Sequence, residues 1–143
     1  MMNFNNKNLD NLPISKLKRI CDYWLRRYLI RHADKNVFGK IYCPIKKKFI
    51  GEKYVHVSHF IDRGVMCTRY DLNNVMLISK KSNVWDSKIL EDEYKSKHHK
   101  EYEKVLKDKI GEKKLNELKK LSNKNCIFGK DYYIEKINFF RYE

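Results

Sequence analysis

The residues best suited to chemistry are His56 and His59, in His56-Val57-Ser58-His59, and Asn74 and Asn83 downstream. Hydrolysis of a phosphodiester needs a base to take a proton from water. It also needs a cation to polarise the phosphate and stabilise the leaving oxygen. Histidine is the side chain whose ordinary pKa suits the first task near neutral pH. His59 is the candidate general base. Asn83, at an expected helix start, and His56 are candidate metal ligands. Ser58 stands directly before the base, a position where many such sites carry a ligating carboxylate. Asn74 is placed in the catalytic set because an asparagine amide at a turn can tie backbone groups across a hairpin loop. Oxygen-rich ligation favours Mg²⁺ or Mn²⁺, although imidazole also admits Zn²⁺ or Ni²⁺. Strand alternation sets one condition: His56 and Ser58 share a face and His59 takes the other, unless the strand twists or bulges.

The elements that must position these groups can be read from periodicity. Leu17, Ile20, Cys21, Trp24, Leu25 and Tyr28 recur at helical spacing after Pro13, predicting an amphipathic helix over 13–33. Residues 1–12 are polar and Asn-rich and read as a flexible leader. Lys40–Cys43 and Lys48–Val57 read as strands around a turn, and Val75–Ile78 as a buried strand. Asp62-Arg63-Gly64 is a loop signal and Ser79–Ser82 a polar turn. Charged, mostly helical sequence follows to about residue 122. Tyr102, Val105, Leu106 and Ile110 lie on one face, and Gly111 breaks the run. His98 and His99 read as a solvated pair, and the aromatic stretch 123–143 as a last helix.

Lysine and arginine number 32 against 18 aspartate and glutamate, a net charge of +14. Such an excess attracts polyanions by counterion release, so nucleic acid is the default partner. The alternative is a merely solvated lysine surface. Arg26, Arg27 and Arg31 on the first helix, Lys46, Lys47 and Lys48 in the first turn, and Arg63 and Arg69 near the histidines are the candidate DNA contacts. The four cysteines form no CxxC pair, so ordinary zinc spacing is absent. Cys67 and Cys126 read as small core residues or exposed thiols. No signal peptide or membrane span is evident, which favours a cytoplasmic protein.

Four stretches together resemble the phage NinG (Rap) recombination nucleases and, more distantly, the endonuclease VII-like HNH resolvases. YWLRRYLIRHADKNVFGKIYC is similar to the family's helix ending in IR-x-R-D-A, with a strand and cysteine after it. HVSHFIDRGVMCTRYDLNNV resembles HAGH…RG…LRF…DN. SKKSN stands where the family has C-x-x-C-N, and EYEKVLKDKIGEKKLNELKKL resembles its EYR…L…IG…L…L helix pair. The likeness implies that His56 and His59 fall on the family's H-x-x-H, Asn74 on the middle asparagine and Asn83 on a metal ligand. Arg69 matches a basic residue suited to phosphate. Of the family's cysteine pairs only Cys43 remains, Ser79 and Ser82 replacing the second pair. A structural zinc is therefore not expected, and Ile45, Phe49, Met76, Leu77 and Ile78 are expected to supply core instead. Trp85 stands where the resemblance implies a histidine.

These readings combine into an α+β chain with a ββα-metal (HNH) core over 40–88, an N-terminal helix, helices over 89–122 and an aromatic tail. All of it from 13 to 143 is expected to form one domain. The resemblance implies a metal-dependent endonuclease cleaving branched DNA such as Holliday junctions, in phage or prophage recombination. It also implies a homodimer in the bacterial cytoplasm. The competing expectations are a catalytically degenerate DNA-binding protein on the same fold, and a phage protein that binds a host factor.

Overall fold

The computed structural model describes residues 6–80 and 92–143. Its class is α+β: helices accompany two small antiparallel sheets, each of two strands. The chain divides into two compact units. One comprises residues 1–32 with 126–143, and the other residues 33–125. Among the described residues no helix is long and apolar enough to cross a membrane.

The first unit is helical. Pro13 opens helix α2 (Ile14–His32), its carbonyl accepting from the Lys16 and Leu17 amides at 3.0 and 3.1 Å. The expected stripe is the buried one, comprising Leu17, Ile20, Cys21, Leu25 and Ile30. It packs on α6 (Lys130–Tyr142), which buries Tyr133, Ile137 and Phe140 at matching spacing. Arg31 donates to the Phe140 carbonyl at 2.7 Å, a cation on an end-of-helix acceptor. The expected leader is partly helical instead. Residues Asn6–Asp10 form α1, because Leu9 finds a fully buried site. Cys126, in this unit, is disulfide-bonded.

The second unit begins with an antiparallel ribbon, β1 (Ile41–Cys43) against β2 (Lys48–Ile50). The single strand expected over Lys48–Val57 is broken. Gly51 starts a 3-10 turn over Glu52–Tyr54, its carbonyl accepting from the Tyr54 amide at 2.9 Å. The chain then enters a different sheet as β3 (Val55–His59), paired with β4 (Val75–Ser79). The register runs from Val55 opposite Ser79 to His59 opposite Val75 without a bulge. Every residue of β4 is buried, as expected for a short strand covered on both faces.

Between β3 and β4, just after the Asp62-Arg63-Gly64 loop signal, the chain forms a short helix α3 (Met66–Arg69). Cys67 in α3 is buried, in line with its reading as a small core residue, but it is disulfide-bonded rather than a thiol, as is Cys126. Helices α4 (Asp92–Ile110) and α5 (Glu112–Ser122) are separated at Gly111, where a φ of 87° requires glycine. Their inner faces join the sheet in one core of Cys43, Phe60, Met76, Ile78, Tyr102, Leu106, Leu115 and Leu118. Of the residues expected to replace zinc as core, Met76, Leu77 and Ile78 are buried and Ile45 is packed at the edge. Phe49 is not: alternation along β2 turns it outward, 42% exposed.

Candidate functional site

His59 is the last residue of β3, and the loop back to β4 is built around it. One further rung, Phe60 N–H to the Asn74 carbonyl at 2.9 Å, closes the loop's mouth. Asn74 is fully buried, and its amide is spent on the loop. The side-chain oxygen accepts from the Ile61 amide at 2.7 Å, while the nitrogen donates to the Ile61 and Thr68 carbonyls at 3.1 and 3.0 Å. A buried amide is stable only when its donors and acceptor are matched in this way. Smaller ties stiffen the same loop. The Asp62 carboxylate accepts from Gly64 N–H at 2.7 Å, and the Asp71 carboxylate from Asn73 N–H at 2.9 Å.

This loop holds the Arg69 carbonyl 3.0 Å from His59 Nε2. A carbonyl oxygen can only accept, so Nε2 carries the proton. In the neutral ring the lone pair then lies on Nδ1. The Arg69 side chain turns back on the loop, donating to the Arg63 carbonyl at 3.1 Å with its guanidinium 5.5 Å from the Tyr70 ring centre. Arg63 is exposed. The loop that fixes the tautomer of the half-buried His59 imidazole thus also carries two cationic side chains, Arg63 and Arg69.

The other face of β3 differs. With no bulge in the register, His56, opposite Ile78, and Ser58, opposite Met76, point away from His59. His56 is exposed, whereas Ser58 is 1% exposed and lies beneath α4. Tyr102 of α4 donates its phenol to the Ser58 carbonyl at 3.0 Å, and burial pushes that phenol above its ordinary pKa. Phe60 stacks on Tyr102 and on His99, with ring centres 5.8 and 4.8 Å apart. These contacts dock α4 on the hairpin and complete a strand-strand-helix layer. His99 is therefore a packing residue at the surface rather than a merely solvated one. Its spacing of three residues from Tyr102 was the available signal.

Two candidate ligands are thus not brought together. His56 and His59 lie on opposite faces of a regular strand and do not converge on one ion. Among the described residues no group of three or more His, Cys, Asp or Glu is placed to hold a metal. Asn83 and Trp85 lie outside the described residues.

Cys43 Sγ accepts from the Lys46 amide at 3.4 Å and from the Ser79 amide at 3.3 Å. Ser79 is thus next to Cys43, whose thiol is held by backbone N–H groups and the surrounding core. Lys46, Lys47 and Lys48 are exposed around the β1–β2 turn, with Lys47 at a left-handed φ of 54°. Arg26 and Arg27 lie on α2 of the helical unit with Arg31, whose guanidinium is engaged with Phe140.

No protein-family model matches the chain, and comparisons with curated proteins and solved structures give no significant match.

Proposed function

We propose that the second unit is an HNH-type DNA endonuclease module in which His59 is the general base. The observation that carries the reading is the Asn74-pinned loop, which fixes the His59 tautomer through the Arg69 carbonyl. The order of elements supports it: β3 ending in the histidine, a long loop, β4, and then a helix packed on the hairpin. The contact of Cys43 with Ser79 supports it independently, because those positions carry the resemblance.

In this reading Nδ1 of His59 removes a proton from water as its oxygen attacks phosphorus. The P–O bond to the leaving nucleotide oxygen breaks, and that oxygen is protonated from solvent. Arg63 and Arg69 balance the charge of the phosphate. A divalent cation, for which Asn83 is the candidate ligand, belongs to the same proposal and would polarise the phosphate when bound; no step is routed through it. Branched DNA as substrate and a homodimer as the working form belong to the same proposal.

The test is cleavage of supercoiled plasmid and of a four-way junction, with Mg²⁺, with Mn²⁺ and with chelator. Wild-type protein should nick DNA and His59→Ala should lose at least about a hundredfold in rate. Equal cleavage by the variant would remove His59 from the mechanism.

A second reading has its own observation. The divergence of His56 from His59 and the burial of Ser58 favour a DNA-binding protein on a degenerate nuclease fold. Salt-sensitive binding of the same DNAs, with no cleavage under any metal condition, would select it.

A further inference from the structure

The outer face of the β1–β2 ribbon takes no part in the site around His59. Tyr42 and Phe49 are cross-strand partners there, their rings edge to face at 5.3 Å. They are 39% and 42% exposed, while Ile41 and Cys43 on the inner face are buried. The chain leading into β1 adds a second apolar exposure. Val37 and Phe38 are 94% and 83% exposed at the tip of a tight turn. That turn is ordered: the Asn36 side-chain oxygen accepts from the Phe38 and Lys40 amides, both at 3.0 Å, and Gly39 supplies a φ of 75°. A turn so well tied holds Phe38 in water by construction. At the far end of the ribbon stand the exposed Lys46, Lys47 and Lys48.

Aromatic rings on a ribbon beside a run of lysines match one ligand chemistry best. Lysines take phosphates, and exposed rings take the π-faces of bases that are not already stacked in a duplex. We propose that this ribbon binds an unpaired DNA strand, Tyr42, Phe49 and Phe38 stacking on bases and Lys46 and Lys47 of the turn holding the backbone. The proposal goes beyond the endonuclease reading and rests on it only for the choice of DNA.

The test uses the full chain carrying His59→Ala, so that probes stay intact, and reads fluorescence anisotropy. The probes are an oligothymidylate, an abasic oligonucleotide of equal length, the corresponding duplex and an oligouridylate. The expected result is that oligothymidylate binds about tenfold or more tighter than the abasic strand. Tyr42→Thr/Phe49→Thr should remove that preference, and Phe38→Ser, at a position that packs on little, should reduce it. Tyr42→Phe should keep it. Circular dichroism checks the fold of each variant, and the Phe38→Ser arm decides if the ribbon double variant does not fold. Equal affinity for the thymidylate and abasic strands would overturn the proposal, as would an unchanged preference in folded variants. Preference for oligouridylate would assign the face to RNA. Dimer dissociation on Tyr42→Thr/Phe49→Thr, with no loss of DNA binding, would assign it to a second copy. Wild-type cleavage is read separately. Absence of cleavage with base preference intact therefore counts against the endonuclease alone, and the converse counts against the ribbon alone.

Discussion

Replacing Asn74 by alanine would take the amide partner from the Ile61 N–H, the Ile61 carbonyl and the Thr68 carbonyl at once. Losing buried partners of this kind costs about 3 kcal/mol in total, and urea denaturation of Asn74→Ala should show it. Asn74→Asp should be nearly as harmful, because a carboxylate accepts from Ile61 but cannot donate to the two carbonyls. Either change also frees the Arg69 carbonyl to move from His59, so any cleavage should fall with stability. Tyr102 gives a pH prediction. Burial raises its phenol pKa above the ordinary 10.0. Below pH 10 the folded and unfolded forms are both protonated and the group adds no pH dependence. Above it the unfolded chain releases the proton first, so stability falls as pH rises toward the folded value. The stability advantage of wild type over Tyr102→Phe, about 1 kcal/mol at neutral pH from the bond to Ser58, should shrink above pH 10. Paired urea titrations at neutral and alkaline pH check it.

Among the elements, the break between α4 and α5 depends on one residue. Gly111 has φ 87° and ψ 159°, a region open in practice to glycine alone, and an added Cβ there meets nothing within 4 Å. Gly111→Ala should therefore destabilise by about 1–3 kcal/mol through backbone strain without steric clash, measurable as a lowered urea midpoint. Helix positions were legible in sequence because their burial stripes repeat: α2 ends within a residue of its expected limit, and Tyr102 and Leu106 are buried where the pattern put them. The strand between Lys48 and Val57 was misread for a physical reason. Strand-forming residues stand on both sides of Gly51-Glu52-Lys53, Phe49 and Ile50 before it and Tyr54 and Val55 after it, yet the 3-10 turn there transfers the chain from one sheet to another. Alternation cannot show where a strand changes partner, since both halves obey the same period.

For the molecule as a whole, the net charge of +14 predicts affinity for DNA that falls steeply with salt. Removing Lys46, Lys47 and Lys48 together should flatten the log–log salt slope for duplex DNA by up to about 2.7 and weaken binding across all sequences alike. A titration of ionic strength against affinity for wild type and the triple alanine variant checks it. An unchanged slope would place these lysines outside the interface.

Composition and periodicity by themselves determined the α+β class, the basic surface, the helix faces and the likeness of the His56–Asn74 stretch to a hairpin-loop site. These are local properties, carried by spacing along the chain. Which groups meet was decided by tertiary structure. The unbulged register sends His56 and His59 to opposite faces, so a motif that reads as a pair is not one in space. The loop fold brings the Arg69 carbonyl to His59 and the Ser79 amide to Cys43, pairs far apart in sequence that only chain closure joins. Phe49 faces water instead of core because its strand pairs with Tyr42 in a ribbon covered on one side. Spacing along the chain fixes which residues share an element, but only packing between elements fixes what each face meets.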